Sequence, residues 1–185
     1  MSNAREQILQ TTCGLMEKQG YHGTGLNEIV KESGSPKGSL YHYFPEGKEQ
    51  ITAEAVFQSG HLTAERIRMG LMESSSASKS VYDFILKIAD QVELSNFAAG
   101  SPLTAVAMET ATKSERINLA CREAYAMIQS AFRGKLLESG YAKNKAEEMA
   151  TFITASVEGG IILSRTYHTA EPLRVVAKQL KTLLA

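Results

Sequence analysis

The stretch that most constrains this chain runs from Leu26 to Pro45: Leu-Asn-Glu-Ile-Val-Lys-Glu-Ser-Gly-Ser-Pro-Lys-Gly-Ser-Leu-Tyr-His-Tyr-Phe-Pro. Leu26, Ile29 and Val30 fall at i, i+3 and i+4, the apolar stripe of a short helix. Gly34 follows and supplies the left-handed residue that commonly ends a helix. Ser35 then offers an N-cap hydroxyl, and Pro36 suits the first helical position, where a missing N–H costs nothing. In the second helix Leu40 and Phe44 lie four apart and can both face inward, while Lys37, Ser39, His42 and Tyr43 spread over the other side. Helix, tight glycine turn, short helix is the helix-turn-helix arrangement, whose second helix enters the major groove of DNA.

The flanking residues sharpen this reading. Arg5-Glu6-Gln7-Ile8-Leu9 opens an amphipathic helix with Ile8, Leu9, Thr12, Leu15 and Met16 on one face, expected to end at Gly20-Tyr21. Gly14 sits inside it at a cost of about 1 kcal/mol relative to Ala. From Arg5 to about Ile51 the chain resembles the tetracycline-repressor (TetR) family of bacterial regulators, without gaps from Ile8 to Phe44. The matching positions include Gly20, Tyr21, Thr24, Ile29, Gly34, Gly38, Leu40, Tyr41, Phe44 and Lys48. So many matches at fixed spacing are far more specific than a lone short motif. Two departures stand out. Gly25 occupies a position where the family usually has Ser or Thr, which weakens a helix N-cap by a few tenths of a kcal/mol. Phe-Pro-Glu-Gly-Lys-Glu (44–49) carries one more residue before its lysine than the commoner form. That insertion, with Ser-Val-Glu-Gly-Gly-Ile-Ile-Leu-Ser (156–164), looks like the LmrA/YxaF-type branch.

Composition bounds the rest. The 185 residues suffice for one domain or two small ones, and 43% hydrophobic with 22% charged describes an ordinary globular chain. No apolar run approaches the ~20 residues that span a bilayer. Met1-Ser2-Asn3-Ala4 is polar, unlike a signal peptide, and Ser2-Asn3-Ala4 has the look of a cloning scar. Cys13 and Cys121 lie far apart in helical patterns, which points to packed thiols in a reducing cytoplasm. Charge is the awkward fact: 20 Lys and Arg balance 20 Asp and Glu, where DNA binders often carry a basic excess. Arg5, Lys18, Lys31, Lys37 and Lys48 face Glu6, Glu17, Glu28, Glu32, Glu46 and Glu49 over the first fifty residues. Only the local distribution helps, since Pro36–Pro45 contains Lys37 and no acid.

After the motif every segment reads as helix. Glu46 to about Glu73 has no proline, Ser74–Ser78 is a polar break, and Tyr82, Ile85, Leu86 and Ala89 continue in helical spacing to about Ser95. Gly100-Ser101-Pro102 starts a short helix to Ala111, and the stripe Ile117, Cys121, Ala124, Tyr125, Ile128, Phe132, Leu136 stops at Gly140. A broad face with small residues runs through about Lys145 to Tyr167. The final helix begins at Pro172 and repeats Leu173, Val176, Ala177, Leu180, Leu183 and Leu184. The expected architecture is all-α. A three-helix DNA-binding domain (1–50) precedes a larger helical regulatory and dimerisation domain (51–185), and the resemblance implies about nine helices.

Among the motif residues, Lys37, Gly38, Ser39, Tyr41 and Tyr43 are the candidates to meet DNA, with Thr24, His42 and Lys48 beside them. Lys donates to guanine acceptors or to phosphate, and a glycine lets the backbone come close to the duplex. Tyr41, Tyr43 and Thr24 suit phosphate contacts, which fix register without reading sequence. The resemblance supports Tyr41 and Thr24 most. Four histidines and two cysteines without a ligand-spaced pair make no metal site. Gly47-Lys48 is no phosphate loop, because Glu49 stands in place of Ser or Thr. No paired carboxylates or Ser-His-Asp arrangement stands out, so neither an enzyme nor a cofactor is expected.

Family resemblance implies further features: a ligand cavity between the middle helices, where an inducer changes the spacing of two DNA-reading heads, and pairing of the last two helices across a two-fold axis. Phe84, Phe97, Met108, Tyr125 and Phe132 are candidates for the cavity, although core packing is the commoner role for such residues. Phe152, Ile153, Ser156, Val157, Gly160, Ile161, Leu173, Val176 and Leu180 are candidates for the dimer interface. The sequence thus points to a cytoplasmic homodimer on an inverted-repeat DNA operator, released by a small hydrophobic or amphipathic inducer. The rival is a helical ligand-binding or interaction module without specific DNA binding, which the neutral charge favours.

Overall fold

The computed structural model describes residues 4–185; the polar start at Met1–Asn3 lies outside the described residues. Nine helices and no strand occur among the described residues: α1 (Ala4–Gly23), α2 (Leu26–Ser33), α3 (Lys37–Tyr43), α4 (Lys48–Leu71), α5 (Ala77–Leu94), α6 (Pro102–Thr110), α7 (Glu115–Glu138), α8 (Lys143–Tyr167) and α9 (Glu171–Leu183). They form two compact units. The first extends to His61 and takes in Ser101–Tyr125; the second joins Leu62–Gly100 to Ala126–Ala185. None of the described helices is long and apolar enough to cross a membrane.

The first unit is built around Ile8 and Leu9 of α1, Ile29, Leu40, Phe44, and Ile51 and Ala55 of α4, all buried. Helices as short as α2 and α3 do not persist alone in water, so this shared core is what holds them. α2 ends where expected, on Gly34 in the left-handed region (φ 62), whose N–H donates to the Lys31 carbonyl at 3.3 Å. α3 differs from expectation. Pro36 is its extended cap residue (φ −57, ψ 140), the helix begins at Lys37, and no side chain caps it. One residue too early for the role, Ser35 is buried with a hydroxyl that finds no partner.

α1 is regular as far as Gly20, which turns with φ 75 and ψ −178 and breaks the helix. α6 packs along α1 with Leu103 and Val106 buried. Where α4 and α7 meet in this unit, Gly60 lies against Ala124 with no room for a Cβ.

In the second unit α9 packs against both α5 and α8. Leu173, Ala177 and Leu180 form its buried stripe. A Cβ added to Gly160 of α8 would lie 2.9 Å from Leu173 Cδ2, so this glycine sets how closely α8 and α9 approach within one chain. Phe84 and Phe132 meet edge to face, with centroids 6.3 Å apart. The 74–76 break is held by Lys135, whose ammonium donates to the Ser74 carbonyl at 2.6 Å, and by Ser76, which accepts the Lys79 N–H at 3.4 Å.

Candidate nucleic-acid interface

α3 divides cleanly. Leu40 and the following Phe44 are fully buried, whereas Lys37, Gly38, Tyr41 and His42 are exposed and Ser39 and Tyr43 half-buried. Tyr41 leaves 46% of its surface in solvent. Around Gly38 a Cβ would meet nothing within 4 Å, so its backbone faces open space. The His42 and Tyr43 rings meet edge to face at 5.1 Å, which limits the freedom of both.

Two candidates sit differently. Thr24 has no exposed surface, and its hydroxyl donates to the Gly20 carbonyl at 2.8 Å, tying the break in α1 to the start of α2. Lys48 is half-buried with its ammonium 4.2 Å from the Tyr21 ring centroid. Burial holds the Lys48 pKa below its ordinary value, with Glu109 acting in the opposite sense. The Tyr21 pKa is pushed up by burial and then by Glu49.

Carboxylates close to the reader are engaged elsewhere. Glu28 accepts the Gln19 amide at 2.7 Å, Glu46 pairs with Arg116, and Glu49 accepts from Ser114. Each such contact places a donor beside negative charge that would repel a phosphate backbone. Sequence reasoning missed Ser114 and Arg116, because no local pattern connects them to residues 65 and 70 positions earlier.

This geometry has relatives. Residues 8–55 match the family described as "Bacterial regulatory proteins, tetR family", and residues 77–179 match "Transcriptional regulator LmrA/YxaF-like, C-terminal domain". The chain belongs to the TetR family, in its LmrA/YxaF-like branch. It is 41% identical over 182 residues to the uncharacterized HTH-type transcriptional regulator YxaF of Bacillus subtilis, covering 98% of this chain and 95% of that one. It is 37% identical to the HTH-type transcriptional regulator LmrA of the same organism, covering 98% and 97%. Among solved structures, the reduced form of Escherichia coli NemR superposes with a TM-score of 0.85 at 20% identity, covering 99% of this chain and 98% of that one. A TetR regulatory protein of Rhodobacter sphaeroides superposes with 0.86 at 18% identity over the full length of both chains. These similarities make the protein a transcriptional regulator with a DNA-binding domain, not an enzyme.

The cavity candidates of this TetR-family chain are scattered. Phe84 and Phe132 share a buried edge-to-face contact, and the half-buried Phe97 meets the His168 ring at 5.5 Å. Tyr125 shares a 3.3 Å hydrogen bond with Thr104, and Met108 is 82% exposed. Of the candidates for pairing, Phe152 is 51% exposed, and Ser156, Ile161 and Val176 are half-buried. Ile153, Val157, Gly160, Leu173 and Leu180 are buried within the chain. The same helices leave Ile162, Leu163, Tyr167 and Val175 exposed, apolar residues that periodicity alone did not single out, and Leu183, which the periodic stripe of the last helix included, is exposed as well. α8 has two apolar faces, and a sequence cannot say which one its own chain covers. Among the described residues no group of three or more His, Cys, Asp or Glu could hold a metal ion. Burial pushes the Cys13 thiol up to about 12, with Glu17 adding to it, and the Cys121 thiol up to about 11.

Proposed function

We propose that the protein is a cytoplasmic, ligand-responsive repressor that binds a palindromic operator as a homodimer and leaves it when a small hydrophobic or amphipathic molecule binds. Residues 1–50 supply the DNA-binding part and 51–185 the regulatory and dimerisation part. The observation that carries the reading is α3, anchored by Leu40 and Phe44 and presenting Lys37, Gly38, Tyr41 and His42 to solvent. Lys37 and the open backbone at Gly38 suit the groove, and Tyr41 suits a phosphate. Thr24 supports this face by holding the start of α2, and the half-buried Lys48, over the Tyr21 ring, is the further candidate for a phosphate.

Dimerisation is supported by the apolar surface that α8 and α9 leave uncovered, chiefly Phe152, Ile162, Leu163 and Val175. A two-fold axis then sets the recognition helices about 34–36 Å apart, or a multiple of that, and requires an inverted repeat. The inducer reading rests on the family and on the aromatic pair Phe84 and Phe132.

Selection of binding sites from random-sequence duplexes, followed by gel-shift titration, tests the proposal. Enrichment of an inverted repeat is the expected result. A selected site without symmetry overturns the dimeric reading. Failure to enrich any sequence leaves the helical ligand-binding module, which the balance of 20 basic and 20 acidic residues favours.

A further inference from the structure

The second compact unit carries a cleft of about 470 Å³ between residues of α4, α7 and α8. Its size lies in the range of small-molecule sites, about 300–1,000 Å³. On α7 the buried residues Ile128, Ala131, Phe132 and Leu136 mark one side of the helix. At 3.6 residues per turn Ala126, Ser130 and Arg133 project from the opposite side, and these line the cleft. The cleft is therefore separate from the Phe84–Phe132 contact, and no residue named above for the inducer lines it.

Two arginines from different helices, Arg68 and Arg133, line this cleft together with Ala126, Met127 and Ala150. Neither is closely held. Arg68 is 3.4 Å from Glu65 of its own helix. Arg133 is 3.7 Å from Glu147 and 3.4 Å from the Ser130 hydroxyl. Charge-assisted N–H to carboxylate bonds run at about 2.7–2.9 Å, so both groups keep donors for a closer partner. A guanidinium matches a carboxylate as a planar fork, which an ammonium does not. Glu147 in the lining and Glu65 beside Arg68 balance the two cations, so the site carries no surplus positive charge for a phosphate dianion and suits a monoanion better. The alanines leave room for an apolar body, and the flexible Met127 can pack against one.

We propose that this cleft binds an organic monocarboxylate, its carboxylate on Arg68 and Arg133 and its apolar body on Ala126, Met127 and Ala150. The site stands independently of the operator and of the inducer reading, so the experiment reads occupancy at the cleft and not release of DNA.

Methyl-labelled methionine gives a local probe, with the Met127 signal assigned through Met127→Leu. Titration with benzoate is expected to move that signal saturably, and benzamide, the neutral counterpart, to bind at least about tenfold more weakly for want of a charge-assisted contact. Arg68→Gln and Arg133→Gln should each weaken benzoate by about tenfold with melting temperature unchanged, and Arg133→Lys should recover only part of the loss because the charge returns without the fork. Inorganic phosphate should compete poorly. Equal binding of benzamide and benzoate, benzoate affinity unchanged in both glutamine variants, or a Met127 signal that millimolar benzoate never moves would each overturn the proposal. The last of these includes a cleft covered by a second copy of the chain.

Discussion

The Glu109 carboxylate of α6 accepts the backbone N–H of His22 at 2.8 Å, at the point where α1 breaks. Gly20 makes the approach possible, since a Cβ there would overlap the Glu109 carboxylate. The segment that follows α6 adds further ties: Lys113 Nζ lies 3.3 Å from His22 Nε2, Ser114 donates to Glu49, and Arg116 pairs with Glu46. Residues 109–116 thus fasten both the end of α1 and the start of α4, the two helices that bracket the reader.

Gly20→Ala should destabilise the first unit by about 1–3 kcal/mol, because a left-handed φ and a collision with Glu109 act together. Glu109→Ala removes the collision and leaves the φ strain. In a double-mutant cycle followed by urea denaturation, the two substitutions together should cost less than the sum of their separate costs. Strict additivity would show that Glu109 does not press on this position.

Gly38→Ala separates folding from recognition. An alanine inside α3 meets no neighbour and should stabilise the fold by about 0.5–1 kcal/mol. The same methyl stands on the open face and should weaken operator binding. Tyr41→Ala should cost about 1–3 kcal/mol of operator affinity, the range for a hydrogen bond to a charged group. Lys37→Ala should also weaken binding, and should relax the preference at one base pair if Lys37 reads a base. Fluorescence anisotropy on the selected operator measures all three, and unchanged affinity throughout would place the DNA on another surface.

Burying a hydroxyl without a partner is costly, and Ser35 and Ser164 both do so. Ser35→Ala should raise stability by about 1 kcal/mol, the desolvation cost recovered. A loss on thermal denaturation would mean that an ordered water satisfies the hydroxyl.

For the dimer, Phe152→Glu and Leu163→Glu should shift light scattering from twice the chain mass to the chain mass while helical content is kept. Gly160→Glu should act differently, since Leu173 of the same chain fills the space beside it. That variant is expected to lose melting temperature along with mass. A wild-type chain that is monomeric at micromolar concentration would remove the premise.

The two thiols yield a prediction with a definite sign. Raised to about 12 and about 11, Cys13 and Cys121 stay protonated in the folded chain well above the ordinary thiol range. The unfolded chain gives up these protons near pH 8.5–9. It then binds fewer protons than the folded one, so stability should fall as pH rises from about 9 towards 11–12. Alkylation by iodoacetamide should accordingly be slow at neutral pH and speed up only on unfolding. Fast modification of the native chain at pH 7 would refute the burial argument.

Local signals were enough for the elements. Gly34 stops α2, Pro102 opens α6, Gly140 follows α7, and the 3.6-residue stripes gave helix type and order almost throughout. Helix boundaries moved by one or two residues wherever caps competed, as at Ser35 and Pro36. For α3, the spacing of Leu40 and Phe44 already separated the anchored side from the open one.

The sequence by itself determined that the chain is helical, that a helix-turn-helix stands near its start, and that α3 turns Lys37, Gly38 and Tyr41 away from its core. These follow from periodicity and turn chemistry, which act over a few residues. Only the tertiary structure decided that Thr24 is buried, that Lys48 lies over Tyr21, and that Gly160 meets Leu173 within the chain. It alone brought Glu109 to Gly20 and Arg68 into one cleft with Arg133. Each of these joins residues far apart in the chain, and burial depends on which neighbour covers a face, a choice made by packing the whole core and encoded in no single segment.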